Sequence, residues 1–120
     1  MRDVVAAALV RTDMDQITPR QLQAWLEDGS RARPVLVDVR EPWEQAICGL
    51  PNAVQLPMNA VPARADELDP AADTVVICHH GARSFQVGMF LERRGFARVY
   101  NLLGGVDAWA REVDPSMAVY

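Results

Sequence analysis

A cysteine that ends an apolar run and is followed by glycine, arginine and serine carries the chemistry of this chain: Val75-Val76-Ile77-Cys78-His79-His80-Gly81-Ala82-Arg83-Ser84. The β-branched run reads as a buried strand, and the residues after the loop take up a helical period. A sulfur between them faces loop N–H groups, the positive end of a helix and a guanidinium, each of which favours an anionic sulfur. The spacing describes a nucleophile, Cys78, in an anion cradle built from His79, His80, Gly81, Ala82, Arg83 and Ser84. Arg83 stands at a helix N-terminus, where a cation is disfavoured, so a substrate anion or the thiolate is its expected partner. Gly81 allows a turn that a Cβ would obstruct. Ser84 either caps the helix or donates to the sulfur. The rings of His79 and His80 are expected to face solvent while their amides serve the sulfur. With no second cysteine pair or carboxylate at ligand spacing, no metal and no cofactor is expected.

A second group of polar residues follows another apolar run, Val35-Leu36-Val37-Asp38-Val39. Asp38 is its one carboxylate and needs donors if buried; Arg40, Arg83 and loop amides are the candidates. Asp38 and Arg40 are read as support for the cysteine loop, and Arg40 with Glu44 as a structural ion pair. Cys48 has no cradle around it and reads as a packed thiol. Trp25, Trp43 and Trp109 read as core, with Trp43 or Trp109 able to wall the pocket.

The elements that must position these groups follow from capping and period. Thr18, Pro19 and Gln21 form a helix start, with Ile17 and Leu22 as a staple, and Gly29 as its stop. Pro42 suits the first turn of a short helix, and Val54–Leu56 a short strand. Asn59 is a candidate cap for a helix over 61–67. Phe85, Val87, Met89, Phe90 and Leu91 supply the apolar face of a helix stopped by Gly95. Val99-Tyr100 is a strand, and 106–113 a last helix after Gly104-Gly105. Strands alternating with helices predict an α/β domain with a largely parallel sheet. In such sheets, sites gather beyond the C-terminal strand ends, where Asp38, Arg40, Cys78 and Arg83 all fall.

The 120 residues are half apolar and suit a single domain, with 1–13 as a loosely packed segment. The net charge of −4, with charges interspersed, argues against a nucleic-acid partner. The apolar patch Val4–Val10 is too short and too close to Asp3 for a signal peptide, and no stretch has membrane-spanning length. Two cysteines make no disulfide framework, so a reducing cytoplasm is the expected compartment.

Four segments in order resemble a rhodanese-type single-domain sulfurtransferase: Asp38-Val39-Arg40-Glu41-Pro42-Trp43-Glu44, Leu50-Pro51-Asn52-Ala53 running to Pro57, the Cys78–Ser84 loop, and Gly104-Gly105-Val106-Asp107-Ala108-Trp109. The resemblance implies a rhodanese-like fold with a roughly five-stranded parallel sheet flanked by helices. It also implies a Cys78 that cycles between thiol and persulfide. Sulfur would pass from thiosulfate or a persulfide donor to a thiophile such as cyanide or a thiol, with a protein as donor or acceptor a further option. Gly49 replaces a histidine that the family often carries, and Asn52 a glycine. Two alternatives stand beside this reading. One is a non-enzymatic persulfide carrier or interaction module. The other is a cysteine-dependent phosphatase or arsenate reductase, against which the Cys-x4-Arg spacing counts, being one residue shorter than the loops of tyrosine-phosphatase-like enzymes.

Overall fold

The computed structural model describes residues 14–120; the expectations for 1–13 lie outside the described residues. Five strands, β1 (Asp15–Ile17), β2 (Val35–Asp38), β3 (Val54–Gln55), β4 (Asp73–Ile77) and β5 (Arg98–Leu102), form one sheet in the order β1-β5-β4-β2-β3. Every neighbouring pair is parallel. All C-terminal strand ends therefore share one edge, and Cys78 leaves β4 beside the point where Val39 and Arg40 leave β2.

Alternation along β4 divides the core. Val76 and Cys78 face one layer with Val37, Val87 and Leu91. Val75 and Ile77 face the other with Leu22, Trp25, Leu102 and Trp109. Val75 and Val76 are fully buried, and each such side chain contributes about 1.5–3 kcal/mol.

Helix α1 (Pro19–Glu27) starts as expected: Thr18 Oγ1 accepts from Gln21 N at 3.1 Å, and Gln21 Oε1 accepts from Thr18 N at 2.9 Å. It ends at Glu27 with Asp28 as C-cap in extended backbone, and Gly29 follows directly but without a left-handed φ. Helix α2 (Pro42–Ile47) has Pro42 in its first turn, and Glu44 Oε1 accepts from Glu41 N. The predicted helix over 61–67 is instead α3 (Val61–Arg64) between two single turns, and Asn59 caps nothing.

Helix α4 (Ala82–Arg93) ends before Gly95, which takes φ +95°. Its buried line is Ser84, Val87, Gly88 and Leu91. Phe85, expected on that line, is 40% exposed, because the stripe runs at three- and four-residue steps from Ser84. Helix α5 (Gly105–Glu112) closes the sheet on the Trp109 side. Among the described residues no helix is long and apolar enough to cross a membrane.

Candidate active site

Cys78 lies between β4 and α4 with 1% of its surface exposed. Its Sγ accepts from Gly81 N at 3.0 Å and from Ser84 N at 3.4 Å, and meets Ser84 Oγ at 3.2 Å. The loop doubles back because Gly81 adopts φ +106°, which a side chain would strain. Gly81 is also the residue that precedes α4, so Ser84 is not its cap; of the two roles left open for Ser84, the structure shows contact with the sulfur.

The start of α5 brackets the same loop. Val106 N donates to Cys78 O at 2.9 Å and Asp107 N to His79 O at 3.1 Å. The approach is so close that a Cβ on Gly105 would lie 2.3 Å from both of those carbonyl oxygens. Two segments that read separately in the sequence are thus one device, since the first turn of α5 fixes the peptides that leave β4.

Arg83 departs from expectation. Its Nη1 and Nη2 bind Glu44 Oε1 and Oε2 at 2.7 and 2.9 Å, so its guanidinium is held by a carboxylate of α2. That carboxylate was expected to pair with Arg40. Arg40 instead binds the Glu44 main-chain oxygen, at 3.2 Å. Glu44 Oε2 also accepts from Tyr120 Oη at 2.9 Å. With the Arg83 guanidinium as the largest cause, the Glu44 carboxyl is held down to about 2, and the same pairing raises Arg83.

Arg40 is fully buried and forms a hub. It reaches Asp38 Oδ2 at 2.7 Å, Cys48 O at 2.6 Å and Tyr120 Oη at 3.0 Å. Burial works against its charge, while bonds from Asp38 and Tyr120 outweigh that and raise its pKa. Asp38 binds Arg40 and not the cysteine loop, so any support reaches the loop indirectly through Arg40, α2, Glu44 and Arg83. Cys48 packs as a partly buried thiol under Arg40 Nη1, at 3.7 Å. Gly49 sits against the same guanidinium: a Cβ there would lie 3.2 Å from Arg40 Nη2. Asn52 takes φ +64°, the left-handed conformation that asparagine tolerates better than most residues and that a glycine adopts freely.

His79 is half-buried rather than turned out to solvent. Its ring is stacked 3.9 Å from Tyr120 on one side and 3.9 Å from His80 on the other. Its Nε2 is buried without a hydrogen-bond partner among the described residues. Burial, then the neighbouring His80, push its pKa down. His80 is exposed, 3.8 Å from Asp107. Asp107 thus supplies the carboxylate that the spacing did not foresee, within 4.8 Å of both rings. It already binds Arg111 at 3.0 Å.

Trp25 and Trp109 are core, but Trp43 is 63% exposed and packs edge-on against Tyr120 at 6.0 Å. Tyr120 was not legible as a site residue, because nothing near it in sequence signals a partner eighty positions away. Asn101, buried beside Ser84, was also missed; its one signal is a lone amide in an apolar strand. A cleft of about 520 Å³, lined in part by Asp15, Trp25, Arg31 and Tyr100, shares no residue with the cysteine loop.

A parallel sheet whose central strand delivers a cysteine into a loop gathered onto its sulfur defines a class, and the comparisons agree with it. The Rhodanese-like domain family matches residues 18–112, and the chain belongs to that family. Among its relatives, it is 45% identical over 84 residues to a protein named Sulfurtransferase from Allochromatium vinosum, covering 70% of this chain and 78% of that one. It is 35% identical over 98 residues to the thiosulfate sulfurtransferase GlpE of Pseudomonas syringae, covering 82% and 89%. It spans only 30% of the Rhodanese-like/PpiC domain-containing protein 12 of Arabidopsis thaliana, at 42% identity over 71% of this chain. The crystal structure of a rhodanese-like domain protein from Staphylococcus aureus superposes with a TM-score of 0.77 at 29% identity, covering 89% of this chain and 99% of that one.

Proposed function

We propose that the protein is a sulfurtransferase that carries one sulfur atom on Cys78. The observation that carries the reading is the sulfur's setting: two backbone N–H groups and a hydroxyl converge on Sγ from a loop whose first peptides are tied down by α5. The Cys78 thiolate attacks the outer sulfur of the donor, thiosulfate for example. The new S–S bond forms as the donor's own breaks, and sulfite leaves with the electron pair. A thiophile, cyanide or a thiol, then attacks the terminal sulfur of the persulfide, and the thiolate of Cys78 leaves. Fixed N–H dipoles suit an anionic sulfur at both stages. Cys78 is 1% exposed, so the loop must open to admit the end of a donor.

Intact-mass spectrometry after incubation with thiosulfate tests this. The expected result is a gain of one sulfur that disappears on adding cyanide and is absent in Cys78→Ser. Turnover retained by Cys78→Ser would overturn the assignment. One observation favours a second reading, a persulfide carrier served by a protein donor: the Arg83 charge that would attract a free anion is already neutralised by Glu44. Sulfur gained from a partner's persulfide but not from thiosulfate would select it.

A further inference from the structure

Beyond the cradle, a chain of three buried side chains runs from the sulfur to the neighbouring strand β5. Cys78 Sγ meets Ser84 Oγ at 3.2 Å, and Ser84 Oγ meets Asn101 Oδ1 at 2.5 Å. The direction of each bond follows from the distant end. Asn101 Nδ2 lies 3.2 Å from the Gly81 carbonyl oxygen and 3.0 Å from Gln16 Oε1. A backbone carbonyl only accepts, so the amide atom facing Gly81 is nitrogen and the atom facing Ser84 is oxygen. An amide oxygen also only accepts, so Ser84 donates its single hydroxyl proton to Asn101. Ser84 then shows Cys78 lone pairs alone, and the bond between them is S–H donating to Oγ. Cys78, Ser84 and Asn101 are 1%, 0% and 3% exposed, so bulk solvent is no alternative partner for any of them.

We propose that Asn101 is a positioning residue that acts through Ser84, engaging the hydroxyl proton that would otherwise bond the Cys78 sulfur anion. When the sulfur loses its proton to solvent base, its lone pairs face those of Ser84 Oγ. Relief comes when the Ser84 hydroxyl turns from Asn101 to the sulfur. Asn101 and the sulfur anion therefore compete for one hydrogen bond, and only the Gly81 and Ser84 amides donate unconditionally. This inference rests on the reading of Cys78 as the reacting sulfur. The charged and titratable groups around the loop are Arg83 on α4 with Glu44 on α2, His79 and His80, Tyr120 against His79 and Glu44, Asp107 on α5, and Asp38 at the end of β2 with Arg40. All are retained in the variants below, so their fields cancel between them.

The test is a titration of thiolate absorbance in a Cys48→Ala background, read against a Cys78→Ala blank. The proteins are the parent, Asn101→Ala, Ser84→Ala and the double variant. Asn101→Ala is expected to lower the midpoint by about one pH unit, since the freed hydroxyl can bond the anion. In the Ser84→Ala background the same substitution is expected to move nothing. No shift with Ser84 present, or equal shifts in both backgrounds, would overturn the proposal, the latter because Asn101 would then act through the Gly81 carbonyl. Asn101→Leu, which fills the space and cannot accept, carries the same expectation and serves if the alanine variant folds poorly. No sulfur donor is used, so failure here is distinct from failure of sulfur transfer, which appears as the absence of a sulfur adduct on Cys78.

Discussion

At Glu44 one carboxylate accepts from two arms of Arg83, from Tyr120 Oη and from the Glu41 amide, while 3% of the residue is exposed. Its pKa falls from the ordinary 4.5 to about 2, chiefly through Arg83. A folded-state value below the unfolded one contributes stability that is present above the unfolded pKa and lost as pH falls toward the folded one. The window is therefore roughly pH 4.5 down to 2, and the full effect is on the order of 3 kcal/mol. Glu44→Gln is expected to lower stability at pH 7 by about 2 kcal/mol and to flatten the decline on acidification, read from urea midpoints at pH 7 and pH 3. That Cys78, Gly81 and Ser84 come together was legible because the arrangement is local: strand, turn and helix follow one another within a few positions. The partner of Arg83 was not, because Glu44 lies 39 residues upstream on a different helix. Helix-end electrostatics correctly required an anion for that guanidinium but could not choose between substrate and carboxylate.

Among the elements, α5 has the least forgiving position. Gly105 at φ +60° brings its backbone onto the Cys78 and His79 carbonyls, and these are main-chain atoms that cannot swing aside. Gly105→Ala is expected to cost about 3 kcal/mol or more and to loosen the loop, seen as a lower thermal midpoint together with faster alkylation of Cys78. Gly88 offers the contrast. A Cβ there meets the end of the flexible Met14 side chain, although Val99 stands behind it at 3.3 Å. Elements with a capping signature were readable in the sequence: Thr18 and Gln21 set α1, and Pro42 opens α2. β1 went unread because three residues are too few to show alternation, and its register comes from β5. The apolar residues of α4 were seen but their face was misplaced, since the buried stripe includes a serine and a glycine that hydrophobicity alone passes over.

For the whole molecule, the alternation of strands and helices made the parallel sheet legible, whereas the strand order depends on pairings between distant segments. In the order β1-β5-β4-β2-β3, β4 is central and β3 is an edge strand with both residues exposed. Hydrogen exchange is expected to be slowest at Val75–Ile77, opening only with global unfolding, and orders of magnitude faster at β3. Equal protection of the two would contradict the single buried core across β4. This places the sulfur at the end of the central strand, while the Arg83–Glu44–Tyr120 network beside its loop joins α4, α2 and Tyr120.

The exposed indole of Trp43 rests edge-on against Tyr120, whose ring covers His79. That contact gives the protein an optical gauge of its own, since His79 directly follows Cys78. Emission lost on Trp43→Phe isolates this fluorophore from the two sheltered indoles, and its intensity is expected to change in step with sulfur loading if the loop moves the ring stack with it.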